Sequence, residues 1–526
     1  MKISLLDLVV IALYFAMTLA IGYFSGRRSS STGQYFLANK SFSGWAIGIS
    51  FIGSIISSVT FIGIPADSFK TAWLRFVPNL ALPLVALLAA WAFVPFFRRG
   101  TLTSAYEYLA RRFGGSISTY AAATFLITQV VRTSVISYLL ALLLAGITGW
   151  SFGWSLVTVV GVTTIYTVKG GIKAVIWTDV VQTFVLLLGV IACIGFIIHA
   201  LPEGLMTVFK DGWAHHKLSA AHDFDAATKT LEPVGLGFSL SEKTVLMLFV
   251  AGFVQYLSVQ LDQSTVQRWC VATTAAEARR SVYVLGFGCI PVWGLFQFFG
   301  TCLFVYYLHF QDSLASAVLT GAEKAESIVP HFISQALPGG VRGVVIAGAL
   351  AAAMSTLSAC INSASMVIVN DFYRKLRRQA ADDTHFLAVA KGTSVFIACC
   401  MAAGAAGIYM TDTLTLTDLI LSLTALIASG VPGVFLAGML TKRVNVVGAW
   451  AGLCVSMAFV LWVKLSQSGV LPAALSLNVF SYYVAVIGNV LSFSVAYVVS
   501  MSFGKDKAPR DLTNLTVWSQ SKTSLE

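Results

Sequence analysis

VRGVVIAGALAAAMSTLSACINSASMVIVNDF, residues 341–372, is a segment in which spanning length and polar interruption meet. It is apolar and long enough to cross a bilayer as a helix. Yet Ser355, Thr356, Ser358, Asn362, Ser363 and Ser365 interrupt it. Ser355, Ser358, Asn362 and Ser365 recur at helical spacing and share one face. Oxygen donors without formal charge at mid-membrane suit a small hard cation that must bind and then leave. Helix–helix packing through small residues and hydroxyls explains the same pattern. Within this segment the two readings stand side by side.

Outward from it, the whole chain has the same character. Its 526 residues are 57% hydrophobic and only 11% charged, which excludes a soluble globule and indicates an all-α polytopic membrane protein. About thirteen segments are long enough to span, from about 4–26 to about 479–502. The eight cysteines fall mostly inside apolar segments without paired spacing, so they read as small buried hydrophobes. The net charge of +11 is explained by topology. With the N-terminus outside and the C-terminus cytoplasmic, about 22 Lys/Arg fall on inside loops and about 10 outside, as the positive-inside rule requires. No nucleic-acid partner is implied. The loop near 203–242 carries Asp, Glu, His and Pro and is expected to hold a short helix over an entrance.

Ionisable residues within spans are costly and point to function. Arg132 lies roughly 14 residues into its helix, about 21 Å at helical rise, too deep to reach either interface easily. It needs an anionic partner, a wet cavity or a substrate carboxylate to use its five donors. Asp179 offers a charge to a cation in transit or to a proton, or is an ordinary interfacial carboxylate. Gln255 falls near the membrane middle, where it can donate to and accept from a ligand. Asp262 lies nearer the cytoplasmic end and reads as structural, satisfied by Arg268 or solvent. The segment 45–69 looks like a helix that breaks: Gly53, Gly63 and Pro65 weaken it, and Ser54, Ser57, Ser58 and Thr60 fill its centre. Interrupted helices at mid-depth expose carbonyls to cations and N–H groups to anions. Ser429–Gly433 is a second weak point.

Four motifs resemble the sodium/solute symporter family, which includes the sodium–glucose cotransporters. They are AAAMSTLSACINSASMVIVNDFY (351–373), TLTSAYEYLARRF (101–113), GGIKAVIWTDVVQ (170–182) and DQSTVQR (262–268). Within that family the pattern most resembles bacterial sodium–sialic acid symporters, through SSVTFIGIPADSF (57–69) and Arg132. The resemblance implies a LeuT-like fold of two inverted five-helix repeats. It divides the chain into a first extra helix and loop (1–42), a first repeat (43–200), an external loop (201–242), a second repeat (243–440), two further helices (441–502) and a cytoplasmic tail (503–526). It implies a sodium site made of the Gly53, Ile56 and Ala352 carbonyls with the Ser355 and Thr356 hydroxyls. A second sodium would use Asp179, Ser355 and Ser358, but Ala359 stands where that pattern has a serine. The substrate carboxylate would lie among Ser57, Ser58, Thr60 and Arg132, with Asn79 and Gln255 nearby. Ile55 replaces a threonine of the pattern, Asn79 a glutamine, and Arg75 an aromatic gate residue.

The expectation is a sodium-coupled symporter, not an enzyme, that imports a small organic anion such as a sialic acid across a bacterial inner membrane. Sodium is its coupling ion, the lipid bilayer its surroundings, and a monomer its working form. A neutral sugar or polyol, or another carboxylate, is the alternative cargo. A sensor or channel on a transporter scaffold is the alternative class, although the tail has no room for a signalling domain.

Overall fold

A computed structural model describes residues 4–26, 31–99, 104–225, 227–377, 382–411, 422–503 and 512–519. Among these, ten helices are long and apolar enough to cross a membrane, or up to twelve if each of two bent pairs is one span. In chain order the main elements are α1 (Leu5–Gly26), α2 (Gly44–Ile55), α3 (Ser58–Lys70), α4 (Leu74–Arg98), α5 (Gly115–Thr148), α6 (Phe152–Ala200) and α7 (Val245–Val259). They continue as α8 (Gln263–Val271), α9 (Ala275–His309), α10 (Val341–Val367), α11 (Asp383–Thr411), α12 (Ser422–Leu440), α13 (Val446–Gln467) and α14 (Ser481–Ser502).

Helix α10 lies at the centre, 89% buried along its most apolar window, packed against α1, α5, α6 and α11. Small residues permit this. A Cβ added at Gly348 would meet the Val185 carbonyl at 3.3 Å, and one at Gly189 would meet the Val345 Cα at 3.3 Å. Close backbone approach is how helices associate where lipid provides no hydrophobic drive.

Three breaks shape the bundle. Between α2 and α3 the axis turns by 61°. The expected weak residues Gly63 and Pro65 stay inside α3; the break falls at Ile56 and Ser57, which are extended (φ −80°, ψ 107° and φ −102°, ψ 176°). A cap decides it: Thr60 Oγ1 accepts the Ser57 N–H at 3.4 Å, starting a new helix. The second break bends α7 from α8 by 59°, where the sequence reads as one continuous span. Asp262 is the N-cap of α8, accepting the Ser264 N–H at 3.0 Å. The third lies within α6, whose 49 residues would reach about 74 Å as one rod. Gly171 turns it with φ +58°, ψ −152°. A Cβ there would also strike the Tyr35 carbonyl at 2.5 Å, so only glycine fits.

The loop between α6 and α7 carries the expected short helix, Leu205–Ala214, and also an antiparallel ribbon of β1 (His222–Phe224) and β2 (Leu231–Pro233).

Candidate transport site

Because α2 stops at Ile55, the carbonyls of its last turn, Gly53 and Ser54 among them, lose their intrahelical donors. Helix α10 crosses at this point. Thr356 directs its hydroxyl to the Ser54 carbonyl at 3.2 Å and to its own helix's Ala352 carbonyl at 3.3 Å. A Cβ on Gly53 would lie 3.3 Å from Ser355 Oγ and 3.0 Å from the Asp179 carbonyl, so the missing side chain is what lets α6 and α10 close on the broken end. Gly53, Ala352, Ser355 and Thr356 therefore lie together, and Ile56 occupies the extended junction beside them, fully buried. This is a cluster of uncharged oxygens with the chemistry of a weak alkali-cation site.

Ser355 also serves a neighbouring hub. Its hydroxyl donates to Asp179 Oδ1 at 2.8 Å, and Ser358 reaches the same oxygen at 3.5 Å. On the other oxygen Asp179 accepts Ser50 Oγ at 2.7 Å and Arg268 Nη2 at 3.0 Å. Asp179 is wholly buried and Arg268 is 3% exposed, with its guanidinium 5.1 Å from the Phe51 ring centroid. The pair ties α6 to α8, with α2 and α10 supplying hydroxyls. Of the two partners expected for Asp262, Arg268 or solvent, Arg268 pairs with Asp179 instead, and Asp262 is held by its capping bonds to Ser264 and by Gln129 Nε2 at 3.5 Å. The role of Arg268 was missed because the motif places it at a helix end, where cations are common.

Arg132 is exposed and has no hydrogen bond or ion pair among the described residues. An arginine this deep does not face lipid unaided, so its exposed side requires water or a ligand. Its neighbour Thr133 lies 3.9 Å from Cys360 Sγ, one turn along α10 from Thr356. Arg132 also exerts its charge on Asp262, at the second break. The helix that carries Arg132 therefore meets α10 one turn from Thr356, through Thr133 and Cys360. Asn79 accepts the Tyr256 hydroxyl at 2.7 Å, whereas the adjacent Gln255 is exposed. Ser57 and Thr60 lie at the first break; the side chain of Ser58 lies outside the described residues.

The stripe on α10 divides between the two readings. Ser365 bonds to the Ala390 carbonyl at 2.8 Å and to Thr393 at 2.7 Å, and Asn362 accepts Gln267 Nε2 at 2.7 Å; these are interhelical links. Thr356, Ser355 and Ser358 face the break and Asp179.

A cavity of about 1400 Å³ opens on the side of the α6–α7 loop and reaches down to Thr60. It exceeds the ~300–1,000 Å³ of ordinary ligand pockets, as a vestibule does. Arg75 stands on its wall, bonded through Nε to Asp67 Oδ2 at 3.1 Å. Nearby, the loop residue Lys217 is buried and donates to the Phe69, Lys70 and Thr71 carbonyls at 2.7, 3.1 and 2.9 Å, capping the end of α3. Burial pushes its ammonium down to about 7.

Two broken helices, the first beside a cluster of uncharged oxygens, and a vestibule that reaches the first break at Thr60 are the parts of a carrier that takes solute and ion within the bilayer. The chain belongs to the sodium:solute symporter family, whose model matches residues 35–456. Its members move solutes with sodium and are not enzymes. It is similar to the sodium/sialic acid symporter NanT of Aliivibrio fischeri, 27% identical over 99% of this chain and 97% of that protein. It is also similar to the sodium/sialic acid symporter SiaT of Proteus mirabilis, 29% identical over 85% of this chain and 87% of that one. A substrate-bound, outward-open structure of a Na⁺-coupled sialic acid symporter superposes with a TM-score of 0.85 at 25% identity, covering 97% of this chain and all of that one. The transporter Mhp1 shares the fold, with a TM-score of 0.56 at 13% identity, covering 92% of this chain and 96% of that one.

Proposed function

We propose that this chain is a bacterial inner-membrane importer that couples sodium entry to uptake of a small organic anion, a sialic acid such as N-acetylneuraminate. Arg132 carries the anion reading: it is an exposed guanidinium deep in its span without an internal partner among the described residues. The sialic acid assignment draws on the names of the bacterial relatives. Sodium takes the Gly53, Ile56 and Ala352 carbonyls with the Ser355 and Thr356 hydroxyls. By joining α2 to α10 it favours the state in which the vestibule is open. Ser57, Ser58, Thr60 and Arg132 receive the substrate. Asn79, already committed to Tyr256, and the exposed Gln255 touch its hydroxylated end.

One sodium per cycle is the stoichiometry we infer, because Ala359 supplies no oxygen and Arg268 already balances the charge of Asp179. The ten apolar helices, the two bent pairs and the division of α6 at Gly171 fit thirteen crossings. The N-terminus and the α6–α7 loop then lie outside, and the C-terminus in the cytoplasm. The repeats run 43–200 and 243–440, separated by the 201–242 loop. A single copy holds both breaks and the vestibule, so it works as a monomer.

The test is uptake of labelled N-acetylneuraminate by proteoliposomes under a sodium or a potassium gradient. Concentrative uptake is expected with sodium alone. Thr356→Ala should raise the sodium concentration for half-maximal uptake about tenfold, the effect of one hydrogen-bond-strength contact of ~1.4 kcal/mol. Arg132→Ala should lower substrate affinity at least a hundredfold, as losing a charge-assisted pair does. Sodium dependence unchanged in Thr356→Ala/Ser355→Ala overturns the ion site. Unchanged affinity in Arg132→Ala points to a neutral cargo.

A further inference from the structure

The vestibule wall contains two polar groups that the central site does not use. Arg75 follows the outer end of α3 and is 63% exposed. It meets Asp67 through Nε alone, and its two η nitrogens have no partner among the described residues. A guanidinium held in this way presents a two-pronged donor fork to the cavity, the geometry that receives a carboxylate in bidentate fashion. Other cations on this wall are engaged. Lys70 lies 4.9 Å from the Phe224 ring centroid, Lys243 pairs with Asp223, and Arg342 pairs with Asp7 at 3.3 Å. Lys324 shares the wall with Glu323 and Glu326.

The second group is Gln297 on α9. It lines the same cavity and is 1% exposed, and its side-chain Oε1 has no donor. Buried acceptors are nearly always satisfied, so an unmatched one on a cavity wall marks a place where a donor arrives. The residue is fixed in position: its carbonyl accepts Ser68 Oγ at 2.8 Å, and its neighbour Phe296 packs edge-on against Phe61. Trp73 Nε1 donates to Thr301 Oγ1 at 3.0 Å and Phe76 lies over Gly294, so the turn carrying Arg75 is seated on the part of α9 that bears Gln297.

We propose that Arg75 and Gln297 form an outer substrate station. The carboxylate of the incoming acid takes the η nitrogens of Arg75, and a hydroxyl or amide N–H of the same molecule donates to Gln297 Oε1. Asp67 keeps the guanidinium oriented through Nε while the station is empty or filled. The site selects hydroxylated or acylamino carboxylic acids and holds them near Asp67, which lies seven residues, ~10 Å of helical rise, beyond Thr60 on α3, before they descend to Arg132. Local concentration at the mouth raises the capture rate for anions. This inference rests on the reading of the cargo as an organic anion.

The test separates the two stations. Purified protein is titrated with N-acetylneuraminate in sodium, by equilibrium binding and by uptake in proteoliposomes. Arg132→Ala disables the central site and should retain a weak binding step; adding Arg75→Gln should weaken that step at least tenfold, and Arg75→Lys should weaken it less. In the otherwise native carrier, Arg75→Gln should raise KM about tenfold with kcat within twofold, and Gln297→Met should raise KM at least threefold. Equal binding by Arg132→Ala and Arg132→Ala/Arg75→Gln, or a KM unchanged by Arg75→Gln, overturns the station while leaving wild-type uptake intact. Absence of sodium-driven uptake by wild type instead removes the cargo reading, and the station with it.

Discussion

Asp179 and Arg268 are paired at 3.0 Å and almost wholly buried, 0% and 3% exposed. Two charges withdrawn from water gain little over an apolar pair, but removing one of them leaves an uncompensated charge costing about 3–5 kcal/mol. Arg268→Ala should therefore lower the thermal midpoint of detergent-solubilised protein sharply. Arg268→Ala/Asp179→Asn should recover much of the loss. A double variant no more stable than the single one would show that the pair acts through something besides charge. At this scale the sequence revealed groups by their cost: Arg132 and Asp179 stood out because ionisable residues do not belong at depth. It could not show which opposite charge each one meets. Asp179 found Arg268 from a distant segment, and Arg132 found no internal partner. Gln297 gave no signal at all, because an uncharged amide within an apolar helix differs little from its neighbours until the cavity beside it is seen.

Elements broke where backbone donors were captured locally. The first break was legible from glycine, proline and a cluster of hydroxyls, but its position was set by the Thr60 cap and not by Gly63 or Pro65. The second was not read, although an aspartate such as Asp262 within an apolar run is a preferred helix N-cap. In the α6–α7 loop, composition indicated only polarity, and the function of Lys217 as a cap on α3 depended on tertiary placement. Its chemistry yields a pH prediction. Three carbonyl partners require the three N–H groups of an ammonium; the neutral amine keeps two. Folded Lys217 titrates at about 7 because it is buried, whereas an unfolded lysine titrates near ~10.4. Between these values the unfolded chain binds the extra proton, so the stability contributed at this site rises with pH, by at most ~1.4 kcal/mol per unit. The thermal midpoint of wild type relative to Lys217→Met should grow more favourable from pH 6.5 to pH 9. A difference that is flat or falls over that window would show that the buried group does not titrate there.

Taken whole, the molecule was readable where lipid imposes a rule: span lengths, the basic bias of the loops and the family motifs all follow from the bilayer or from ordered short segments. What the sequence left open was arithmetic between distant helices, and the energetics of transport depend on that arithmetic. Sodium entering with a monoanionic acid moves no net charge; a second sodium would move one, worth about 2.3 kcal/mol per 100 mV. The hub around Asp179 decides between them. Its carboxylate is already opposed by Arg268, two serines on α10 reach it, and the next position is Ala359, 8% exposed and without an oxygen. Uptake by wild type should therefore be electroneutral: a potassium diffusion potential set with valinomycin leaves the initial rate unchanged, and the sodium Hill coefficient stays near about 1. Ala359→Ser restores a hydroxyl beside Ser358. If that oxygen completes a second cation site, the Hill coefficient should climb toward about 2 and uptake should become faster with the interior negative. A wild-type rate that already responds to potential would mean that the hub accepts a sodium despite Arg268 and Ala359.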